Sequence, residues 1–178
     1  MWHRVRGSVA AHQGYDAREV WARTGFLLYL ERLADPFDQS LDRVHVTGSA
    51  IVTGSRGVVL HLHKRLRVWL QPGGHLERGE APWEAALRES EEELGLPLRF
   101  ANGGVPELIH LDVHQGGRGH VHLDLRYLLL APDMDPKPPP GESPDARWFS
   151  PAEALQVADP GLVGALQKLG FARARPVS

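Results

Sequence analysis

The sequence predicts an α/β or α+β sandwich, a mixed sheet with helices packed on it, carrying an added N-terminal helix. Two periodicities predict it: strand-length segments rich in apolar residues alternate along the chain with segments whose apolar residues fall three and four apart. A third observation bounds the answer. With 178 residues, 42% hydrophobic and 24% charged, the chain can bury one sizeable core but has little room for a second full domain.

The elements follow in order. Asp16 to Leu33 has helical spacing in Val20, Phe26 or Leu27, Leu30 and Leu33, and it stops near Asp35-Pro36. Residues 1–43 are therefore expected to be a helical extension and 44–178 the main domain. Val44 to Val52 and Val58 to His63 read as strands around the turn Thr53 to Gly57, with a third short strand through Val68-Trp69-Leu70. Pro82 suits the first turn of a helix. Trp83, Ala86, Leu87, Ser90 and Leu94 then give that helix a buried stripe, and Gly95 stands where a left-handed terminating residue is expected. Glu107 to His114 and His120 to Ala131 are extended segments around Gln115 to Gly119, which predicts a hairpin. Pro132 to Pro144 carries six prolines and reads as a surface loop. Arg147-Trp148-Phe149 resumes a strand, Ser150 to Glu153 matches a capping box that opens a helix, and Pro160 to Leu169 supplies another.

Bulk properties exclude more than they identify. The formal charge of −2 gives no general attraction to DNA or an anionic membrane, although Lys64, Arg65 and Arg67 are candidate phosphate contacts. The chain has no cysteine, so disulfides, thiolate metal sites and cysteine nucleophiles are excluded. No apolar run approaches the length of a membrane span, and the first residues lack the apolar core of a secretory signal. A cytoplasmic location is expected by default.

The densest chemical signal lies between Gly74 and Leu96, GHLERGEAPWEAALRESEEELGL. Residues three and four apart share a helix face, so Glu89, Glu92 and Glu93 form one carboxylate patch, with Glu91 turned away. Such like charges destabilise a helix by roughly 0.2–0.5 kcal/mol per pair. A hard divalent cation reverses the sign, and oxygen-only ligands suit magnesium or manganese rather than zinc. Before the helix, Gly73 and Gly74 allow close backbone approach to a ligand.

This segment resembles the Nudix box: a glycine, five residues, a glutamate, seven residues, Arg-Glu, an apolar position, any residue, Glu-Glu, any residue, glycine and an apolar residue. Gly74, Glu80, Arg88, Glu89, Glu92, Glu93, Gly95 and Leu96 fit, and only Ser90 departs. The resemblance covers roughly Val44 to Gly170 and implies the Nudix α/β/α sandwich. It also implies hydrolysis of a diphosphate bond in a nucleotide-type small molecule, with Mg2+ or Mn2+ as cofactor. By resemblance, Glu89, Glu92, Glu93 and the carbonyl of Gly73 hold the metal. Arg88 pairs with Glu80 or orients Glu89, and Glu89 is ligand or base for the attacking water. Arg88, Glu89 and Glu92 thus form the catalytic set, while Glu80, Gly74 and Gly95 are structural. Glu142, on the Pro-rich loop, is the reserve base or ligand. His75, in the box loop, and Arg65 are candidate substrate contacts. The family also contains non-catalytic domains that bind nucleotide or ADP-ribose as sensors, which stands as the alternative. An isopentenyl diphosphate isomerase shares the fold but relies on a catalytic cysteine that this chain lacks. A homodimer is common among relatives, yet no segment displays an interface.

Substrate markers outside the box, those of ADP-ribose, diadenosine polyphosphate and coenzyme A hydrolases, find no clear match. Histidine is the remaining anomaly, with ten in the chain. His61 and His63, then His110, Asp112 and His114, then His120, His122 and Asp124 alternate along strands, and a period of two puts each set on one face. These sets line a substrate cleft, bind a transition metal, or cover a solvated face of the sheet.

Overall fold

A computed structural model of the chain describes residues 1–171; residues 172–178, the end of the expected main domain, lie outside the described residues. Helices α1 (Trp2–Ala11) and α2 (Ala17–Arg32) precede strands β1 (Val44–Gly54), β2 (Gly57–Leu62), β3 (Trp69–Leu70) and β4 (Gly73–His75). Helix α3 (Pro82–Leu94) leads to β5 (Arg99–Phe100), β6 (Leu108–Gln115), β7 (Val121–Leu130) and β8 (Ala146–Phe149), and then to α4 (Pro151–Val157) and α5 (Pro160–Lys168).

All eight strands join one mixed sheet. Its centre is the parallel pair β1 and β7, in register from Val44 opposite Val121 to Thr53 opposite Leu130. The other pairings are antiparallel, including the expected β6–β7 hairpin. Strand alternation sorts the core into two layers. Val46, Ala50, Val52, Leu123, Leu125 and Leu129 pack with Phe26, Leu30, Ala86 and Leu94 from α2 and α3. On the opposite face Ile51, Val58 and Leu60 pack with Leu155, Leu162 and Leu166 from α4 and α5. The result is the helix–sheet–helix sandwich that the sequence predicted. A bulge between Leu108 and His110 shifts the alternation, which is why Ile109 joins the second layer and Leu111 the first.

Two short strands and one helix were not foreseen. β4 and β5 are too short to show periodicity. α1 buries only Val5 and Val9, one turn apart, and is held by contacts from far along the chain: Trp2 Nε1 donates to Leu30 O at 3.2 Å and Arg23 Nε to Val9 O at 3.0 Å. The added segment is therefore a helix pair. The Pro-rich loop contains no helix or strand beyond an isolated bridge between Pro140 and Glu142. Among the described residues no helix is long and apolar enough to cross a membrane.

Candidate active site

Two glycines let β4 lie close against β1 and α3. β4 pairs with β1 so that Gly73 faces Ser49 and Gly74 faces Gly48. Gly73 has φ 149° and a side chain there would collide with Ser49. Over Gly74 lies the Glu89 carboxylate, whose Cδ would stand 2.6 Å from an added Cβ. At the other end of α3, Gly95 adopts φ 60°, ψ 35° and donates to Glu91 O at 2.8 Å.

Arg88 is the hub. Its Nε and Nη2 reach Glu80 Oε1 and Oε2, both at 2.8 Å; Nη1 reaches Glu89 Oε1 at 2.8 Å, and Nη2 also reaches the His75 carbonyl at 3.0 Å. The hydrogen bond with Arg88 is the main reason the Glu80 carboxyl is held below its ordinary range. The same bond, with that of Glu89, raises the guanidinium. Burial pushes the Glu89 carboxyl up against the opposing pull of Arg88. Glu93 goes further. Burial, with the charges of Glu89 and Glu142 adding and the Gly73 N–H opposing, pushes it up to about 8. Gly73 N–H donates to Glu93 Oε2 at 2.9 Å. His61 Nδ1 stands 3.7 Å from Glu93 Oε1, but burial lowers that imidazole to about 4, so it supplies no positive charge at neutral pH.

Glu92 is the exposed member, its side chain 57% accessible and only loosely held by Arg88 Nη1 at 3.4 Å. Among the described residues, Glu89, Glu92 and Glu93 share a helix face without all three carboxylates coming within 4.8 Å of one another. Glu142 is close enough for its charge to act on Glu93, and Lys64 Nζ lies 3.7 Å from it. Arg65 points elsewhere: its guanidinium lies against Gly117 in the β6–β7 turn.

The histidines are not a solvated face as a group. His45, His61 and His110 are buried. The His63 ring instead caps its own turn, Nδ1 accepting from Leu66 N at 3.0 Å. His45, His75 and His122 meet, each offering a ring nitrogen within 4.8 Å of the others. Burial lowers all three imidazoles, His122 to about 4. His45 carries little signal of its own in the sequence, because it lies near the start of a long apolar strand. The signal was there in its alternation with Thr47 and Ser49, which donate to Asp124 at 3.0 and 2.8 Å.

Comparison with known proteins bears on this geometry. A hydrolase of the NUDIX family from Clostridium perfringens has a crystal structure that matches with TM-score 0.62 at 32% identity, covering 73% of this chain and 98% of that one. An isopentenyl-diphosphate Delta-isomerase from Streptomyces griseus is 29% identical over 127 residues, which is 66% of this chain and 63% of that protein. The m7GpppN-mRNA hydrolase NUDT17 of Xenopus laevis is 59% identical over 32 residues, 18% of this chain and 11% of that protein. The chain thus spans less than two thirds of these curated relatives. The model of the NUDIX domain matches residues 43–169, a span that contains Arg88 and every residue it grips, and on that match the chain belongs to the NUDIX family.

Proposed function

We propose that the chain is a metal-dependent pyrophosphohydrolase that cleaves the diphosphate bond of a nucleoside diphosphate linked to another moiety. One observation carries the reading: Arg88 locks Glu80, Glu89 and the His75 carbonyl into a single frame. The reading fits a hard cation, because the donors are all oxygens and Glu93, pushed up to about 8 by burial against only a minor pull from Lys64, would be held ionised by a cation. Mg2+ or Mn2+, held by Glu89, Glu92, Glu93 and the Gly73 carbonyl, would neutralise phosphate charge and make water a better nucleophile.

The chain's own groups do the rest. Glu89, raised by burial and steadied by Arg88, would accept the proton of the attacking water. Water adds at phosphorus, the bridging P–O bond breaks, and two phosphate-ended products leave. Glu142 is the reserve acceptor, beside Lys64 on the Pro-rich loop. The isomerase chemistry of the Streptomyces relative is set aside, since the chain contains no cysteine.

The test is release of phosphate or nucleoside monophosphate from nucleoside triphosphates, ADP-ribose, dinucleoside polyphosphates and nucleotide sugars, with magnesium, manganese or chelator. Metal-dependent turnover that favours one compound supports the proposal and names the substrate class. Nucleotide binding with no turnover on any of them would overturn it in favour of a sensor.

A further inference from the structure

We propose that His45, His75 and His122 form a second metal site, separate from the carboxylate patch, that takes a divalent transition ion of the zinc type. The sheet builds it. His45 and His122 are register partners across β1 and β7, and His75 on β4 pairs with Thr47, one step along the same face of β1. The three rings form a near-regular triangle, with centroids 5.0 Å apart for His45–His75, 5.2 Å for His45–His122 and 5.1 Å for His75–His122.

The hydrogen bonding points to a ligand. His45 is 0% exposed, and its Nδ1 lies 3.3 Å from Asp42 O. With Nδ1 as the donor, the lone pair is on Nε2, which is buried and has no partner. His75 Nε2 is buried and unpartnered as well. Buried polar atoms are almost always satisfied, so two orphans at one triangle need an explanation. A water has two protons to donate, whereas three imidazole nitrogens within 4.8 Å of one another present up to three lone pairs, and a cation meets all three. A backbone carbonyl on the remote nitrogen is also the usual partner of a metal-bound imidazole, since it fixes the tautomer.

The donor set chooses the ion. Imidazole suits zinc, copper, iron and nickel, whereas magnesium and calcium want oxygen. Ligands at about 2.05 Å in a tetrahedron stand roughly 3.4 Å apart. Closing from at most 4.8 Å asks for small rotations of the half-buried His75 and His122, with His45 as the fixed point. A fourth ligand would be water or the His120 ring, which stands 5.1 Å from His45. Through its carbonyl, His75 also touches Arg88 Nη2 at 3.0 Å, so an ion here would stiffen β4, the strand that carries Gly73 and Gly74. The site stands whether or not the carboxylate patch hydrolyses anything.

The experiment uses the full chain without a polyhistidine tag, stripped by chelation and held in excess magnesium, titrated with Co2+ and followed by visible absorption. One ion per chain should bind with the intense bands of a four-coordinate site, and Zn2+ should displace it. His75→Ala and His122→Ala should each weaken binding by more than the 10–100-fold typical of outer-shell partners, while Glu93→Gln leaves it unchanged. His75 is half-buried on a short strand, so its variant keeps the test valid if His122→Ala fails to fold, as circular dichroism would show. Absence of four-coordinate bands, undiminished binding in the histidine variants, or loss of binding in Glu93→Gln would each overturn the assignment.

Discussion

Arg88 and Glu80 are joined at two points, Nε to Oε1 and Nη2 to Oε2, each 2.8 Å, although eight residues separate them along the chain. The flat guanidinium spans both carboxylate oxygens and still reaches Glu89, a geometry that an ammonium cannot copy. Arg88→Lys should therefore cost about 2 kcal/mol, below the 3–5 kcal/mol for breaking a fully buried pair, since about a quarter of the Arg88 side chain is exposed. Urea unfolding measures it. A loss under about 0.5 kcal/mol would mean that the fork does not hold the loop.

Glu92 tests the separation of chemistry from folding. Its side chain is 57% exposed and its contact with Arg88 is 3.4 Å, so Glu92→Gln should change stability by no more than about 0.5 kcal/mol. If it is a metal ligand, the same substitution should abolish metal-dependent turnover. Full activity in this variant would exclude the proposed carboxylate metal site.

Glu93 makes stability depend on pH in an unusual direction. Its folded value near 8 lies above the ordinary 4.5, so between those limits the folded chain holds a proton that the unfolded chain has released. Stability from this group is therefore lost as pH rises from about 4.5 to about 8, by an amount on the order of a few kcal/mol. His61, lowered to about 4, acts the opposite way and loses stability as pH falls below about 6.5. Unfolding of wild type and Glu93→Gln, compared in chelator across this range, cancels the histidine contribution. The variant should gain on wild type steadily up to about pH 8. A constant difference would show that Glu93 is ionised throughout.

What could be read from sequence tracks how local each interaction is. The carboxylate helix was legible because Glu89, Glu92, Glu93 and Gly95 lie within two turns, and because Pro82 and Gly95 mark its ends. Ser90 was correctly placed on the core face: it is fully buried and bonds Ala86 O at 2.6 Å. The stripe itself shifted slightly, with Ala85 fully buried and Trp83 and Leu87 only partly so. The histidine triangle was not legible, since it needs the parallel register of His45 with His122, which are far apart in sequence. Nor was α1, whose burial depends on α2 rather than on its own periodicity.

Glu19 shows how firmly that helix pair is fastened. It is fully buried at the start of α2 and gathers partners from three regions: His12 Nε2 at 2.6 Å, the N–H groups of Tyr15 at 2.5 Å and Leu111 at 3.1 Å, and Lys168 Nζ at 3.6 Å. Burial alone would raise this carboxyl, but the hydrogen bonds from His12 and Tyr15 carry it down to about 2. Because the folded value lies below the ordinary 4.5, its contribution is present above that pH and lost as pH falls toward about 2. Glu19→Ala strands the Leu111 N–H, the His12 ring and the Lys168 ammonium together, and should cost about 3–5 kcal/mol at neutral pH. The penalty should shrink in acid, where wild type loses the same charge. If urea unfolding shows a loss below about 1 kcal/mol, or one that is unchanged at low pH, α1 and α2 are not fastened to β6 through this carboxylate.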